Sequence, residues 1–226
     1  NEDAQPCISN EDAQPCIGSP ADYLKTVNVP GFEYMAHDLL ANFHCLAKTR
    51  VAATLGAPRK LRVLEIGSAL GFFLSILRDE GGEVEGREMW VDWRRFSNRY
   101  LNVPTSGELM QGQGKPEYDL IFCSQVLEHV SNFADFLAAA YSRLLRGGML
   151  AVSTTNSNIG TLPRASLDGK RVNLTTLDIF DNTYHISHWS RRSIGGAARN
   201  VGFKNIYAKT RGEHDWELVM YAIKAE

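Results

Sequence analysis

The chain has 226 residues, a formal net charge of −2 at pH 7 and 44% hydrophobic residues. This composition supplies enough apolar side chains for a core and excludes wholesale disorder, and the length fits one large domain with an additional segment. Proteins that bind nucleic acid through phosphates are usually basic, so the near-neutral charge disfavours nucleic acid as a partner. No apolar run approaches the roughly 20 residues that span a bilayer, so no membrane partner is expected.

The four cysteines form no C-x-x-C pair, and their spacing predicts neither a disulfide framework nor a zinc site. Cys123 lies within an apolar run, where a buried thiol is the ordinary interpretation. The start of the sequence shows no signal-peptide pattern. We therefore expect a soluble, cytoplasmic protein in a reducing compartment.

Two segments precede the first predicted strand. The octapeptide NEDAQPCI occurs at residues 1–8 and again at 10–17, and its acidic, proline-containing composition predicts a flexible tail over residues 1–20. Over residues 21–58, apolar side chains recur at three- and four-residue spacing up to Gly56 and Pro58. This pattern predicts an N-terminal helical extension.

Strands and helices alternate in the predicted main domain, residues 59–226. The apolar run LRVLEI predicts a buried strand, and EVEGRE, YDLIFCS and MLAVSTT predict further strands. A weaker strand is predicted within residues 103–109. The helices between them are predicted over GFFLSILRDEGG, WVDWRRFSNRYL and SNFADFLAAAYSRLLRGG. The last of these is expected to begin after Ser131 or Asn132 and to end at Gly147. Such alternation is typical of a parallel sheet with helices on both faces.

The end of the chain departs from this alternation. Residues 156–189 are polar and rich in turn-forming residues, which predicts an insert. A helix over SRRSIGGAARNVGF follows, although its two central glycines should each cost roughly 1 kcal/mol relative to alanine. Only RGEHD separates KNIYAKT from WELVMYAIKA, so these two strands must be antiparallel. The predicted fold class is therefore α/β, a doubly wound, Rossmann-like sheet of seven strands, mostly parallel with a C-terminal antiparallel hairpin.

The turn after the first strand is the first candidate binding site, because ligands of such sheets bind beyond the carboxyl ends of the strands. Gly67 and Gly71 let a ligand approach the backbone, but their spacing differs from the G-x-G-x-x-G of dinucleotide sites. Glu65 would repel a pyrophosphate and suits a ligand with an ammonium group. Glu88, which ends the second strand, can accept both hydroxyls of a ribose. These residues predict a pocket for a nucleoside with a cationic tail, a description that S-adenosylmethionine fits.

Several segments together resemble the class I S-adenosylmethionine-dependent methyltransferases of the small-molecule type, over about residues 60–224. VLEIGSALGFFL resembles the family's first motif, E/D-x-G-x-G-x-G, and EVEGREM resembles the strand that ends in the ribose-binding acid. YDLIFCSQVLEHV, RLLRGGMLAVSTTN, and HISHWSRRSI followed by VGF resemble three later segments. Ala69 replaces the middle glycine of the first motif, and it is expected to be tolerated on the premise of a negative φ.

This resemblance implies S-adenosyl-L-methionine as the cofactor, with S-adenosyl-L-homocysteine as the product. The first-motif residues Glu65, Gly67, Ser68, Ala69 and Gly71 would hold the methionine end of the cofactor. Glu88 would bind its ribose, and Met89, Glu108 and Leu109 would lie next to its adenine. Ser124, Gln125 and Val126, which follow YDLIFC, would lie near its sulfonium.

Methyl transfer requires a general base only where the acceptor must lose a proton, and three histidines are catalytic candidates. His129 follows the fourth strand, whereas His185 and His188 lie at the end of the insert, where the resembled family usually builds its acceptor pocket. His185 is the preferred base, with Asp178, Asp181 and Tyr184 as nearby alternatives. For each histidine a structural role is favoured over catalysis: a hydrogen bond from the ring to the backbone for His129, and packing of the insert for His185 and His188. His185 and His188 have the spacing of a metal pair in a helix, but no third ligand is evident, so no metal is expected.

The expected function is S-adenosylmethionine-dependent methyl transfer to an oxygen or nitrogen of a small-molecule acceptor. Two alternatives stay open at this point. One is a non-catalytic protein that binds S-adenosylmethionine, and the other, less favoured, is a nucleotide-dependent oxidoreductase on a similar sheet. A methyltransferase acting on macromolecules is disfavoured by the near-neutral charge.

Overall fold

The computed structural model describes residues 29–46, 60–107, 114–157, 185–211 and 216–225. The strands are β1 (Arg62–Ile66), β2 (Glu83–Arg87), β3 (Thr105–Ser106), β4 (Tyr118–Ser124), β5 (Leu144–Thr155), β6 (Phe203–Arg211) and β7 (Glu217–Lys224). The helices are α1 (Val29–Leu46), α2 (Phe72–Asp79), α3 (Val91–Phe96), α4 (Phe133–Arg143) and α5 (Arg191–Val201). A π-helical turn, Ser97–Leu101, continues α3, and a 3₁₀ turn, Leu127–His129, follows β4. The predicted tail, the predicted helix end at Gly56 and Pro58, and most of the predicted insert lie outside the described residues.

The seven strands form one sheet in the order β3-β2-β1-β4-β5-β7-β6. The first five strands pair in parallel, and β7 pairs antiparallel with both β5 and β6. This arrangement confirms the predicted fold class and the C-terminal hairpin. The chain runs outward from β1 to β3 and then returns to β4 on the other side of β1. The winding direction therefore switches between β1 and β4, and their carboxyl ends flank the crevice where such sheets bind ligands.

Both faces of the central strands are buried. Leu64 and Ile121 point to the face covered by α4 and α5, whereas their neighbours Val63 and Leu120 point to the face covered by α1 and α2. Successive side chains of a strand alternate between faces, so strands covered on both sides read as continuous apolar runs. The fully buried Cys123 side chain belongs to the same core, as the sequence predicts.

The predicted end of α4 at Gly147 is wrong, because the helix ends at Arg143. Leu144 has an extended backbone, is fully buried and pairs with Tyr118 of β4, so β5 begins where the helical pattern was expected to continue. Pairing with a strand that lies far away in sequence overrides the local helical preference here. The start of α4 agrees with the prediction, since the side chain of Asn132 accepts a hydrogen bond from the N–H of Asp135 at 3.2 Å.

Replacing Gly196 of α5 by alanine should stabilise the protein. A Cβ at Gly196 would meet no heavy atom within 4 Å, so only the helix propensity changes. We expect Gly196→Ala to raise the free energy of unfolding by about 1 kcal/mol, measured by urea denaturation.

The matched control is Gly202→Ala at the carboxyl cap of the same helix. Gly202 has a φ of 115°, and a Cβ there would lie 3.3 Å from the ring of Tyr141, so this substitution should destabilise. A Gly196→Ala protein no more stable than the parent would contradict the open environment of this glycine.

Candidate active site

The loop between β1 and α2 is fastened to the end of β2. The N–H groups of Gly67 and Ser68 both donate to the carbonyl oxygen of Arg87, at 2.8 and 3.1 Å. Gly67 and Gly71 have φ values of 70° and 83°. A Cβ at Gly67 would overlap the side chain of Val126, and one at Gly71 would overlap that of Ser97. Both the backbone conformation and the close approach therefore require glycine at these two positions.

The expectation that Ala69 has a negative φ is wrong, because its φ is +49°. An L-residue with a Cβ pays about 1–2 kcal/mol for this left-handed conformation. The N–H of Ala69 donates to Oε2 of Glu88 at 2.8 Å, and this charge-assisted hydrogen bond offsets the cost. The loop thus keeps the shape of a glycine-rich turn even though its middle residue is alanine.

Glu88 stands at the end of β2 with only 8% of its surface exposed. Its Oε1 accepts a hydrogen bond from the N–H of Trp90 at 3.0 Å, while Oε2 accepts from Ala69. Burial raises the pKa of this carboxyl, and these two backbone hydrogen bonds act in the opposite direction. A carboxylate has about four lone-pair sites, so Glu88 keeps capacity for further donors such as hydroxyl groups.

Glu65 lies in β1, two residues before Gly67 of the loop. It is 5% exposed, and burial, together with the nearby charge of Glu88, raises its pKa well above the usual range. Among the described residues, neither Oε2 of Glu65 nor Oγ of the adjacent Ser68 has a hydrogen-bond partner. A buried carboxylate without compensation is costly, so this position favours a ligand that brings a cationic donor.

These residues surround one cleft at the switch point. Its lining residues are Met35, Glu65, Gly67, Ser68, Ala69, Leu70, Gly71, Phe72, Phe73, Ser124 and Gln125. Most of the predicted cofactor-binding residues are thus brought together, with Val126 directly behind Gly67 and Glu88 behind Ala69.

Other predicted contacts fall outside this lining. Met89 is 58% exposed beside Glu88, and Glu108 and Leu109 lie outside the described residues. Sequence reasoning missed Met35, Leu70, Phe72 and Phe73. Leu70 and Phe72 sit within or next to the glycine loop, a signal that was available, whereas Met35 belongs to α1, which carries no motif.

Gln125 is held at the cleft by a polar chain that starts on α1. Its backbone has a φ of 53°, its N–H donates to the carbonyl of Ser153 at 2.8 Å, and its side-chain amide donates to Oγ of Ser153 at 3.2 Å. The Ser153 hydroxyl donates to Glu217, and Nη2 of Arg211 donates to the same carboxylate at 2.9 Å. Arg211 also approaches Asp38 of α1, 3.9 Å away. The orientation of Gln125 is therefore connected to the packing of α1.

Asp38 is the charged anchor of α1 in this chain. Lys209 donates to its carboxylate at 3.2 Å, and the hydroxyl of Tyr221 donates at 2.7 Å. Burial alone would raise the pKa of Asp38, but the hydrogen bonds from Tyr221 and Lys209 outweigh it and lower the pKa. Asp38 therefore stays ionised and keeps α1 on the sheet at neutral pH.

Two of the three candidate histidines meet beyond β4. The ring centroids of His129 and His185 are 4.9 Å apart with an edge-to-face geometry. His185 is held beside the 3₁₀ turn because the N–H groups of Ile186 and Ser187 donate to the carbonyl oxygen of Glu128, at 2.9 and 3.1 Å. His188 is exposed and lies outside this pair.

A Rossmann-like sheet with an acid–glycine loop at its switch point and a carboxylate at the end of β2 defines a methyltransferase-type domain. Residues 33–208 match the family described as methyltransferase domain, and the chain belongs to that family. The resemblance to methyltransferases seen in the sequence is thereby confirmed. No helix among the described residues is long and apolar enough to cross a membrane.

Known proteins agree with this assignment. A ubiquinone biosynthesis O-methyltransferase of Psychrobacter cryohalolentis is 24% identical over 124 residues, which cover 50% of this chain and 47% of that protein. The chain thus spans about half the length of this curated relative. A methyltransferase structure from Archaeoglobus fulgidus, described as S-adenosylmethionine-dependent, covers 85% of this chain and is itself covered to 94%, with a TM-score of 0.61 and 14% identity. Magnesium protoporphyrin IX methyltransferase from Synechocystis, solved with bound S-adenosylmethionine, is similar in structure with a TM-score of 0.57 and 14% sequence identity. The match covers 86% of this chain and 80% of that protein.

Substitution of Ala69 by glycine should relieve the strain of the loop. Glycine adopts the left-handed conformation without a Cβ penalty, while the hydrogen bond to Glu88 is kept. We expect Ala69→Gly to leave the free energy of unfolding unchanged or to raise it by up to about 1 kcal/mol in urea denaturation.

Ala138→Gly in the middle of α4 is the control, and it should lower the free energy of unfolding by about 1 kcal/mol. Equal destabilisation by both substitutions would show that Ala69 is not strained.

Proposed function

We propose that this protein transfers the methyl group of S-adenosylmethionine to an oxygen or nitrogen of a small-molecule acceptor. The observation that carries the proposal is the buried Glu65 carboxylate, whose Oε2 has no hydrogen-bond partner among the described residues at the switch point of the sheet. This group suits the ammonium of the cofactor's methionine end and disfavours the pyrophosphate of a dinucleotide. The curated relatives are named as O-methyltransferases, which supports oxygen as the acceptor atom.

The residues of the cleft fit the parts of this cofactor. Glu65 would accept from the ammonium group, and the backbone of the loop from Gly67 to Gly71 would lie against the methionine end. Glu88 would accept from the ribose hydroxyls with its remaining lone pairs. The exposed side chain of Met89 is suited to cover the adenine, as are Glu108 and Leu109 on the sequence evidence. Ser124, Gln125 and Val126 would lie next to the sulfonium.

The acceptor is proposed to bind beyond β4, against the segment at residues 156–189. When bound, S-adenosylmethionine supplies a methyl group on a positively charged sulfur, so the protein has only to orient the acceptor and remove a proton where there is one. His129 and His185 are the paired rings at this edge of the sheet and are our candidates for activating a hydroxyl acceptor. His188 remains a weaker candidate, because it is exposed and outside the pair. A cytoplasmic, reducing location is part of the proposal and is supported by the buried, unpaired Cys123.

Titration calorimetry with S-adenosylhomocysteine tests the cofactor assignment. We expect binding that Glu88→Ala weakens by about tenfold or more, since charge-assisted hydrogen bonds to the ribose are lost. Glu83→Ala, an exposed position at the other end of β2, should bind like the parent.

Urea denaturation of each variant separates lost binding from lost folding, and Glu88→Gln offers a variant closer in shape. Binding of NADH but not of S-adenosylhomocysteine by the parent protein would overturn the proposed function.

Cofactor binding should release a proton from Glu65. Burial and the charge of Glu88 raise the pKa of Glu65 in the free protein, whereas an adjacent ammonium would lower this pKa and favour the ionised form. Affinity for S-adenosylhomocysteine should therefore increase with pH up to the raised pKa that Glu65 has in the free protein, by at most about tenfold per pH unit, and level off above it.

The number of protons released follows from binding enthalpies measured in phosphate and in Tris, which differ in ionisation enthalpy. Glu65→Gln should abolish the difference. A parent protein whose binding enthalpy is independent of the buffer would refute the role given to Glu65.

A further inference from the structure

We propose that Glu128, His129 and His185 together bind one divalent transition-metal ion. Each offers one ligand atom, and these atoms all lie within 4.8 Å of one another. Ligand atoms around one ion are about 3–4 Å apart when each bond is about 2.1 Å long, so side-chain adjustments of about 1 Å complete the site. The sequence analysis considered His185 with His188 and found no third ligand, whereas the fold joins His185 to a different pair.

The backbone fixes this convergence. Glu128 and His129 belong to the 3₁₀ turn directly after β4, and His185 returns to the turn after a long segment. The carbonyl oxygen of Glu128 accepts from the N–H groups of both Ile186 and Ser187, and the Ser187 hydroxyl donates to the carbonyl of Leu127 at 3.2 Å. Three hydrogen bonds thus hold the residues after His185 to the turn, so the cluster does not depend on side-chain packing alone.

The carboxylate of Glu128 is prepared for a cation. Glu128 is 1% exposed, and its Oε2 accepts from the Thr154 hydroxyl at 2.8 Å, with a longer contact of 3.5 Å between Oε1 and the Thr155 hydroxyl. These hydroxyls are neutral, so they orient the carboxylate without balancing its charge. Ligand carboxylates in metal sites are oriented by hydrogen bonds of this kind.

The donor set selects the class of ion. Two imidazoles and one carboxylate favour zinc, iron, cobalt or manganese over magnesium and calcium, which prefer oxygen ligands. His129 is exposed and His185 half-buried, so the cluster opens to the surface on one side. Three protein ligands with an open side are typical of a site where the metal also binds a substrate.

The catalytic role of this ion rests on the proposed function, whereas the binding of the ion does not. Glu128 lies three residues after Gln125 of the cofactor cleft, so the ion would bind the acceptor's hydroxyl oxygen close to the transferred methyl group. A bound divalent metal lowers the pKa of such a hydroxyl. The O–H proton would pass to solvent water, and the oxygen would use the electron pair that it keeps to form a bond to the methyl carbon. The bond between that carbon and the sulfonium sulfur would break, and S-adenosylhomocysteine would leave with the sulfur's electron pair. His129 and His185 then act as ligands rather than as general bases.

Metal titration of the full chain, without an affinity tag and after removal of metal by chelation, tests this site. Zn²⁺ measured by calorimetry should bind with a stoichiometry of one, and Co²⁺ should give the visible absorption of a protein-bound ion. Glu128→Gln and His185→Ala should each weaken Zn²⁺ binding by about tenfold or more, and Thr154→Val should weaken it through the orientation of Glu128.

Two variants serve as histidine controls. His188→Ala and His37→Ala remove exposed histidines outside the cluster and should bind Zn²⁺ like the parent. Absence of binding to the parent, equal losses in the control variants, or Mg²⁺ binding tighter than Zn²⁺ would each overturn the proposal.

S-adenosylhomocysteine titrations of the same proteins keep the two proposals apart. We expect Glu128→Gln to bind S-adenosylhomocysteine but little Zn²⁺, and Glu88→Ala to show the reverse. Zn²⁺ binding by a parent protein that does not bind S-adenosylhomocysteine would refute the proposed function and leave the metal site standing.

Discussion

The hydrogen bond from the N–H of Ala69 to the Glu88 carboxylate is the contact on which the candidate site depends. It joins the loop after β1 to the end of β2, and it holds Ala69 in a conformation that alanine does not favour. Burial raises the pKa of Glu65, and the charge of the nearby Glu88 raises it further. Glu88 therefore contributes to the shape of the loop as well as to the charge of the cleft. Glu88, whose place in the sequence resembles that of the family's ribose-binding acid, also maintains the conformation of the loop that would face the rest of the ligand.

Much of the fold was predictable because its signals are local. The apolar runs that became β1, β4 and β5 are continuous, since both faces of these central strands are covered. The end of α4 was not predictable in the same way, because Leu144 leaves the helical pattern to pair with Tyr118. The φ of Ala69 could not be predicted from the local sequence for a similar reason, because Glu88, an acid 19 residues away, stabilises this conformation.

The residues of the candidate site also fall into those that the local sequence predicts and those that it does not. Glu65 lies near the end of β1, and Gly67 and Glu88 follow the ends of β1 and β2, so these three residues could be found from the spacing in the sequence. Met35 reaches the cleft only because α1 packs beside it, and the sequence around Met35 has no feature beyond an apolar stripe. The meeting of His185 with Glu128 depends on backbone hydrogen bonds to a carbonyl, which no residue pattern encodes.

The polar chain from Asp38 through Arg211, Glu217 and Ser153 to Gln125 has a thermodynamic consequence. α1 contributes Met35 to the cleft and Asp38 to this chain, so a ligand that contacted Met35 or Gln125 would also strengthen the docking of α1. Linkage is reciprocal, and a docked helix raises the affinity for the ligand by the same factor. The N-terminal helix would in this sense be a cooperative part of the candidate binding site, and shortening the chain ahead of β1 would reduce affinity for the ligand as well as remove a helix.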